Sequence, residues 1–445
     1  MKKKLQLLGF LFLVLLNGLA AGNLTAFAQS QSGGSQTSNH PADSRSTIDS
    51  SRIDPKKDST RFFKRILADT SRMMLNMEAI YNRPFLQLGK LGASVGGYLE
   101  SNSRYESVDG ISEGISFQIP RLTVFISSTI GKRLKFLTEI ELEQGGKEIG
   151  IEFASLDVSF HPLVNIRGGV VMIPIGAFNQ NHDGPKWEFI DRPISSTTLI
   201  PSTWSNVGFG LFGKYGLGNW IWAYEAYLTN GFDDRIISNE QNRTWLPASK
   251  QNPNRFEESF NGVPLTTLKF ALRNRSLGEV GVSWMGGVYN KFQQDGLLLD
   301  KRRRVDFLAL DVNTTLEATK TYLNGEWVWI WVDVPATYSL QFGKRLQGGF
   351  VDIVQPLLKK SLFGWDQAVV NLSLRAEYTD YNASSFPETG KPIADHVIAL
   401  VPSLSLRPSL QTVFRFNYRY QWQADLLGNP PSRTGSIQIG FSTYF

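Results

Sequence analysis

The segment Arg433–Phe445, RTGSIQIGFSTYF, separates its large apolar side chains from its small and polar ones by strict alternation. Ile437, Ile439 and Phe441 fall on one face of an extended chain, and the residues between them are serine, glutamine or glycine. A side-chain period of two indicates a β-strand with one apolar face and one hydrated face. Soluble sandwiches also contain such strands, so the fold class depends on whether the rest of the chain repeats the pattern.

The alternation recurs along the chain in sixteen segments separated by turn signals. In one of them, Phe414, Phe416 and Tyr418 alternate with Arg415 and with Arg419 further along. Because an arginine facing lipid costs about 2–4 kcal/mol near the bilayer midplane, we expect the arginines to face a barrel interior and the aromatic rings to face lipid. The predicted strands are approximately 88–100, 113–129, 132–144, 148–160, 163–174, 205–215, 219–228, 264–274, 278–289, 303–314, 319–334, 338–354, 366–380, 394–407, 410–423 and 434–445.

The connections between these segments differ in length on the two sides. Tight links follow the second, fourth, sixth and eighth segments, whereas long stretches, 175–204 and 229–263, follow the fifth and seventh. Short periplasmic turns, long external loops and an even strand number are typical of bacterial outer-membrane barrels. The pattern therefore predicts an all-β fold, a transmembrane antiparallel up-and-down β-barrel of about sixteen strands over 84–445, with a short N-terminal periplasmic helix.

Two prolines interrupt the predicted strands. Proline lacks the N–H that a strand ladder needs. At Pro120 the outward set changes phase, from Ile115 and Phe117 to Leu122, and we predict a β-bulge that supplies the extra residue. Pro402 presents the same difficulty without a comparable phase change.

Three segments precede the predicted barrel. Residues 1–28 combine three lysines, a leucine-rich core and an Ala-Phe-Ala site, which indicates a secretory signal peptide. Residues 29–60 are rich in Ser, Gln and Asp, which predicts a disordered periplasmic leader. Residues 61–83 carry apolar side chains at helical spacing, which predicts one amphipathic helix docked beneath the barrel mouth. A plug or a subunit contact is the alternative role for that helix.

Composition excludes several other classes of protein. Removing the three leader lysines leaves 43 basic and 40 acidic residues, a balance unlike that of a nucleic-acid-binding protein. There is no cysteine, so neither disulfides nor thiol chemistry is expected. The four histidines form no arrangement with a nucleophile that we can identify, so we predict that the chain is not an enzyme and has no cofactor. His182 and Asp183 could bind a metal ion, but no third ligand follows at a useful spacing, and we predict no metal site.

The connection from Ile175 to Trp204 is the most informative loop. Thirty residues without strand periodicity are long for a compact barrel, and the aromatic and proline content favours an ordered loop that folds inward and narrows the lumen. This region resembles the phosphate-selective porin O and P family, in particular its Bacteroidetes-type members. The resemblance is densest over roughly 115–230 and rests on GGVVMIPIGAFN (168–179), DRP (191–193), IPSTW (200–204) and VGFG (207–210). It implies a homotrimeric outer-membrane porin for small, anionic, phosphate-like solutes.

We therefore predict passive diffusion of small hydrophilic solutes through a constricted, water-filled lumen in the outer membrane of a Gram-negative bacterium. The alternative is a plugged structural or adhesion barrel that acts through its surface loops. Expected partners are outer-membrane lipid and lipopolysaccharide, the solutes, and the barrel-insertion machinery, which would read the C-terminal strand; nucleic acid is not expected. The predicted pore-lining residues are Arg121, Lys135, Arg167, Lys269, Arg273, Arg375, Arg415 and Arg419, and the predicted constriction-loop residues are Asp183, Glu188 and Arg192.

The predicted lumen is of mixed sign, because Arg133 and Lys135 share a face with three acidic residues of the same segment, Glu139, Glu141 and Glu143. Such a lumen sets up a transverse field that orients polar solutes. Pairing of these inward charges with one another across strands is the alternative interpretation of every residue in the set.

Overall fold

The computed structural model describes residues 63–68, 74–88 and 92–445, all of them within the compact unit 61–445. Its strands, numbered in chain order, are β1 (Phe63–Ile66), β2 (Phe85–Leu88), β3 (Ala93–Val108), β4 (Ile111–Ile130), β5 (Leu134–Glu143), β6 (Glu148–His161), β7 (Val164–Met172), β8 (Ser205–Leu217), β9 (Trp220–Thr229), β10 (Leu265–Asn274), β11 (Gly278–Val288), β12 (Gln293–Gln294), β13 (Leu297–Leu298), β14 (Arg304–Thr315), β15 (Tyr322–Val332), β16 (Arg345–Leu362), β17 (Trp365–Asp380), β18 (His396–Ser409), β19 (Thr412–Gln423) and β20 (Ser432–Tyr444).

Sixteen of these strands, β3–β11 and β14–β20, form a closed antiparallel barrel in which each strand pairs with its neighbour in the chain. The barrel closes where β20 pairs with β3, from Thr434 opposite Val108 to Tyr444 opposite Tyr98. The predicted fold class, a sixteen-stranded up-and-down barrel, is confirmed. Gly97 lies at this seam, and a Cβ there would come within 2.3 Å of both the Phe445 ring and the Thr123 carbonyl oxygen, so only glycine fits.

The outer wall is apolar because alternate side chains of each strand point away from the interior. Trp222, Leu268 and Phe416 are each more than two fifths exposed, whereas their chain neighbours Lys269 and Arg415 are buried. This arrangement places the backbone hydrogen bonds within the wall and presents apolar surface to a lipid bilayer.

Replacing Leu268 with arginine is expected to lower the free energy of unfolding by about 2–4 kcal/mol, because the charge would face lipid near the middle of a ten-residue strand. The measurement is equilibrium unfolding in liposomes, followed by tryptophan fluorescence. Leu277→Arg is the matched control, since Leu277 lies in the turn between β10 and β11 and its charge would reach water. Equal destabilisation by the two substitutions would contradict the assignment of the lipid-facing wall.

Several predicted strand boundaries are wrong, and the largest differences are at the end of β3 and at both ends of β16, which begins at Arg345 and not at 338. β3 continues to Val108 and meets β4 through a two-residue turn at Asp109-Gly110, where φ is 49° and 87°. Asp-Gly favours this hairpin geometry with two positive φ values, so no loop is needed there. β16 runs to Leu362, beyond Pro356, through two irregularities in its pairing with β17. From β7 onward short and long connections alternate as predicted, whereas the β3–β4 and β5–β6 connections, on the side of the long loops, are also short.

The two strand prolines are accommodated differently. In the β3–β4 ladder, Ile119 and Pro120 together lie opposite Ser101, so the predicted bulge is confirmed. Pro402 keeps its pairing with Leu374 of β17 but has no partner in the described β18–β19 ladder, whose register is the same on both sides of the gap. Pro120 is therefore accommodated by an extra residue in its strand, whereas Pro402 is accommodated by a gap in the pairing of β18 with β19.

The prediction of one amphipathic helix over 61–83 is wrong in the part of that range that the structure describes. There the chain forms strand β1, which pairs with β2, and a 3-10 helix at Asn76–Tyr81. Leu75 and Met77 pack against Ile221 and Ala271, whereas Ile80 packs in a separate cluster with Phe125, so these apolar residues do not form one helical face. The predicted signal peptide (1–28) and leader (29–60) lie outside the described residues. No helix among the described residues is long and apolar enough to cross a membrane.

Candidate functional site in the barrel interior

The connection between β7 and β8, residues 173–204, folds into the barrel and is called here the inward loop. Most of its side chains are buried, including Phe178 and Phe189. The Asn179 side chain closes the base of this loop, because its Nδ2 donates to the carbonyl oxygens of Ile173 and Trp204 at 2.7 and 2.9 Å. Its Oδ1 accepts from the Trp204 amide at 2.8 Å. Such closure holds the two ends of a long loop together, so the rest of the loop projects as an ordered unit.

Glu326 of β15 anchors the first turn of the inward loop. Its carboxylate accepts the backbone N–H groups of Ala177 and Phe178 at 2.7 and 2.9 Å and the Ser196 hydroxyl at 3.2 Å. The preceding Gly176 has φ of 65°, and a Cβ there would lie 2.4 Å from this carboxylate. The glycine thus permits the close approach that brings the amides onto Glu326.

Four predicted pore-lining residues bind the inward loop. Arg375 donates to the Asp191 carbonyl at 2.9 Å, and Arg415 donates to the Phe189 carbonyl at 2.7 Å. Lys269 donates to the Gly176 carbonyl at 2.5 Å, and the Arg419 guanidinium lies 3.7 Å from the Asp191 carboxylate. These wall cations therefore fix the loop against the wall and are shielded by it from the lumen.

The segment Leu75–Arg83, called here the N-terminal segment, also lies inside the barrel, at the end where the short turns are. The Asn76 amide donates to both carboxylate oxygens of Glu279 in β11, at 3.2 and 3.0 Å. Lys214 of β8 pairs with Glu78, and the side chains of Leu75 and Ile80 are completely buried. The segment therefore lies inside the barrel and not beneath its mouth, where the sequence predicts it.

A buried ion cluster joins the N-terminal segment to the inward loop and to β5. Arg83 makes a two-point contact with Asp183, at 2.8 and 2.5 Å, and its third nitrogen lies 2.6 Å from Glu139. Lys186 lies 3.1 Å from Asp183, and the Tyr444 hydroxyl donates to Asp183 at 2.7 Å. Burial acts to raise the pKa of Asp183, but the Arg83 guanidinium and the Lys186 ammonium outweigh it and hold that pKa well below its usual range.

Open space remains on both sides of this cluster. On the turn side, a cavity of about 540 Å³ is lined by Tyr81, Lys135, Arg167 and Lys214, among others. On the loop side, interior-facing charges keep some exposure, with 27% for the Arg104 side chain, 24% for Asp191 and 19% for Arg121. The inward loop and the N-terminal segment meet between these two regions, at the contact of Asp183 with Arg83.

Every predicted pore-lining and constriction residue faces the interior, but the set forms no single ring. Arg121 contacts Glu100 and Glu141, and Arg192 of the loop reaches the same Glu141 at 3.6 Å. Arg167 binds Asp157 and Glu225 on the turn side, and Arg273 binds Glu279 there. Glu188 pairs with Arg407 at 2.6 Å. Cross-strand and loop pairing, the alternative interpretation, describes most of the set, while Lys135 lines the turn-side cavity.

Sequence reasoning missed several residues that organise the interior. Arg83 was assigned to the end of a helix, and its partners lie 56 and 100 positions away. Glu326 could have been found, because it is an acidic residue on the inward face of a strand whose outward face is tryptophan-rich. Asn179 and Asn417 gave no such signal; the Asn417 side chain accepts the Ile190 amide at 2.7 Å.

Comparison with known proteins gives limited matches. No protein-family model matches the chain. An uncharacterized protein of Aquifex aeolicus (strain VF5) is 36% identical over 149 residues, which are 32% of this chain and 33% of that protein. The chain thus spans about a third of the length of this curated relative.

Solved structures with a similar arrangement of strands include a porin and an outer membrane channel. The anion-selective porin from Comamonas acidovorans aligns with a TM-score of 0.48 and 12% identity, over 79% of this chain and 99% of that one. OprB of Pseudomonas putida aligns with a TM-score of 0.49 and 8% identity, over 80% and 94%. The outer membrane channel DcaP of Acinetobacter baumannii aligns with a TM-score of 0.42 and 12% identity, over 78% and 97%.

The wall of the barrel determines where the protein resides. A closed sheet with an apolar outer surface and a charged interior is stable only across a bilayer, and single-chain barrels of this kind span bacterial outer membranes. The chain is an outer-membrane β-barrel of a Gram-negative bacterium.

Proposed function

We propose that the protein is a porin that allows passive diffusion of small hydrophilic solutes along the barrel interior. One observation carries this proposal: interior charges remain accessible on both sides of the constriction, at Arg104 and Asp191 on the loop side and at Lys135 and Lys214 around the turn-side cavity. Charged groups placed at both ends of a polar lumen serve to admit and orient polar solutes. Constriction by an inward loop restricts such a passage to small molecules.

The finer proposal is a preference for anions. On the turn side the cavity is lined by five basic residues and by three acidic ones, Glu78, Asp157 and Glu225, and two of the basic residues, Lys132 and Arg133, are exposed. The net positive field raises the local concentration of anions at the cavity. Phosphate preference and homotrimer assembly, which the family resemblance implies, stay predictions, as does recognition of the C-terminal strand by the insertion machinery.

Current through single channels in a KCl gradient tests the anion preference. We expect a reversal potential of the sign given by chloride permeation, and we expect Lys135→Glu to move it toward the potassium value. Lys360→Glu is the matched control, because Lys360 is exposed at the end of β16, outside the interior. A reversal potential of the cation sign in the wild-type protein would remove the anion preference and leave the porin proposal standing.

A second candidate function, a plugged structural or adhesion barrel, is favoured by the burial of Leu75, Ile80 and Arg83 within the barrel. The two candidates differ in a planar bilayer. Stepwise conductance of the full-length mature protein supports a porin. Silence of the mature protein supports the plugged barrel, and then the exposed loops are the part to test for binding.

A further inference from the structure

Two buried polar atoms in the barrel interior face each other without a hydrogen-bond partner. Nε2 of His182 lies 3.5 Å from Oε1 of Glu139, and neither atom has a hydrogen-bond partner within the described part of the chain. The side chains of both residues have no exposed surface. Buried polar atoms in folded proteins are nearly always paired, so this pair requires a physical explanation.

The hydrogen bond on the other side of the imidazole determines its tautomer. Nδ1 of His182 lies 2.9 Å from the carbonyl oxygen of Asn179, which can only accept, so Nδ1 carries the hydrogen. In the neutral ring the lone pair of Nε2 then points toward Oε1 of Glu139 at 3.5 Å and Oδ1 of Asp183 at 3.8 Å. Lone pairs directed at one another repel, and a cation between them removes that repulsion.

The spacing of His182 Nε2, Glu139 Oε1 and Asp183 Oδ1 fits a metal ion. Neighbouring ligands of a tetrahedral ion with bonds of about 2.1 Å are separated by about 3.4 Å. The separations of 3.5 and 3.8 Å are close to that value, and the ligand atoms of Glu139, His182 and Asp183 all lie within 4.8 Å of one another. A histidine that binds a metal through Nε2 usually donates a hydrogen bond from Nδ1–H to a backbone carbonyl or a carboxylate, which fixes the orientation of the ring, and His182 makes such a bond.

We propose that His182 Nε2, Glu139 Oε1 and Asp183 Oδ1 bind one divalent transition-metal ion of the zinc class. One imidazole and two carboxylates are the ligand types that such ions accept in proteins. The sequence offered only the adjacent pair His182-Asp183; β5 supplies the third ligand from 43 positions earlier in the chain. Because two ligands belong to the inward loop and one to β5, the ion ties the loop to the barrel wall.

Cations that already surround the site determine the consequences of binding. Arg83 and Lys186 contact the same carboxylates and balance their charge, so the ion adds net positive charge to the constriction. We therefore expect weaker binding than at a site with uncompensated carboxylates. If the protein conducts, bound metal should also shift the reversal potential toward anions, an effect that rests on the porin proposal; the binding itself does not.

Calorimetric titration of the full-length mature protein, treated with chelator and held in detergent, with Zn²⁺ tests the site. We expect one ion per chain and at least about tenfold weaker binding in His182→Gln and in Glu139→Gln. Substitution with Co²⁺ should give visible absorption bands of a low-symmetry site that disappear in His182→Gln. His396→Gln is the matched control, since His396 begins β18 and stacks on Tyr378 away from the cluster.

Two results would overturn the metal site. The first is a wild-type protein that binds no Zn²⁺, or binds it with the affinity of His182→Gln. The second is a ¹⁵N NMR spectrum in which His182 carries hydrogen on both ring nitrogens while Zn²⁺ is present. A hydrogen on Nε2 would occupy the position that the proposal gives to the metal ion. Folding of each variant is checked independently by its β-sheet circular dichroism, so loss of binding through misfolding is recognised.

Discussion

Deletion of residues 29–82 is expected to raise the single-channel conductance of the mature protein several-fold. The deletion removes the 3-10 helix and the buried side chains of Leu75 and Ile80, which occupy the turn-side end of the barrel. It retains Arg83, so Asp183 and Glu139 keep their partner and the inward loop keeps its main contact with this part of the chain. The measurement is conductance in planar bilayers at fixed salt.

Deletion of residues 29–60 alone is the control for this prediction. It removes the leader and keeps the whole N-terminal segment, so the conductance should match that of the mature protein. Equal conductance of all three proteins would show that the N-terminal segment does not limit the passage. The inward loop would then be the part that sets the conductance.

Replacement of Arg83 by methionine is expected to lower the free energy of unfolding by about 3–5 kcal/mol. Arg83 is completely buried and contacts Asp183 and Glu139, and its guanidinium lies 4.6 Å from the centre of the Phe125 ring. Methionine fills similar space but leaves two buried carboxylates with less compensation. Denaturant unfolding in detergent micelles, followed by tryptophan fluorescence, measures the change.

Two further variants separate charge from packing at this position. Adding Glu139→Gln and Asp183→Asn to Arg83→Met should recover much of the lost stability, because no uncompensated carboxylate then remains. Lys214→Met breaks the half-exposed pair with Glu78 in the same region and should cost only about 0–1 kcal/mol. A triple variant as unstable as Arg83→Met would indicate that packing around Phe125, and not buried charge, gives Arg83 its effect.

The barrel was predictable because lipid imposes a simple rule on the sequence. An outward side chain must be apolar and its neighbours need not be, so Phe416 beside Arg415 already indicates the strand and its faces. Boundaries were less predictable, because they depend on turn geometry and on tolerance of irregular pairing. Asp109-Gly110 forms a turn where a loop was expected, and Pro356 lies inside a strand that continues past it.

The interior was less predictable than the wall for a physical reason. Inward residues meet partners from other strands and loops, and no rule of spacing relates Arg83 to Asp183 or Arg415 to Phe189. The inward course of the 173–204 connection could be predicted from its length and composition. Which cations hold it, and which remain accessible to solutes, depends on distances that only the folded barrel defines.

The pairing of β20 with β3 has a kinetic consequence. The two edges of the sheet belong to the first and last strands of the barrel. Because β2 pairs only with Ser94 and Val95 of β3, residues 98–108 have no permanent neighbour on one side until all fifteen other strands have been exported. For that whole interval the newly made chain carries an open edge that can pair with other chains, and contacts so distant in sequence form slowly. The rate of barrel assembly should therefore depend on the arrival of β20.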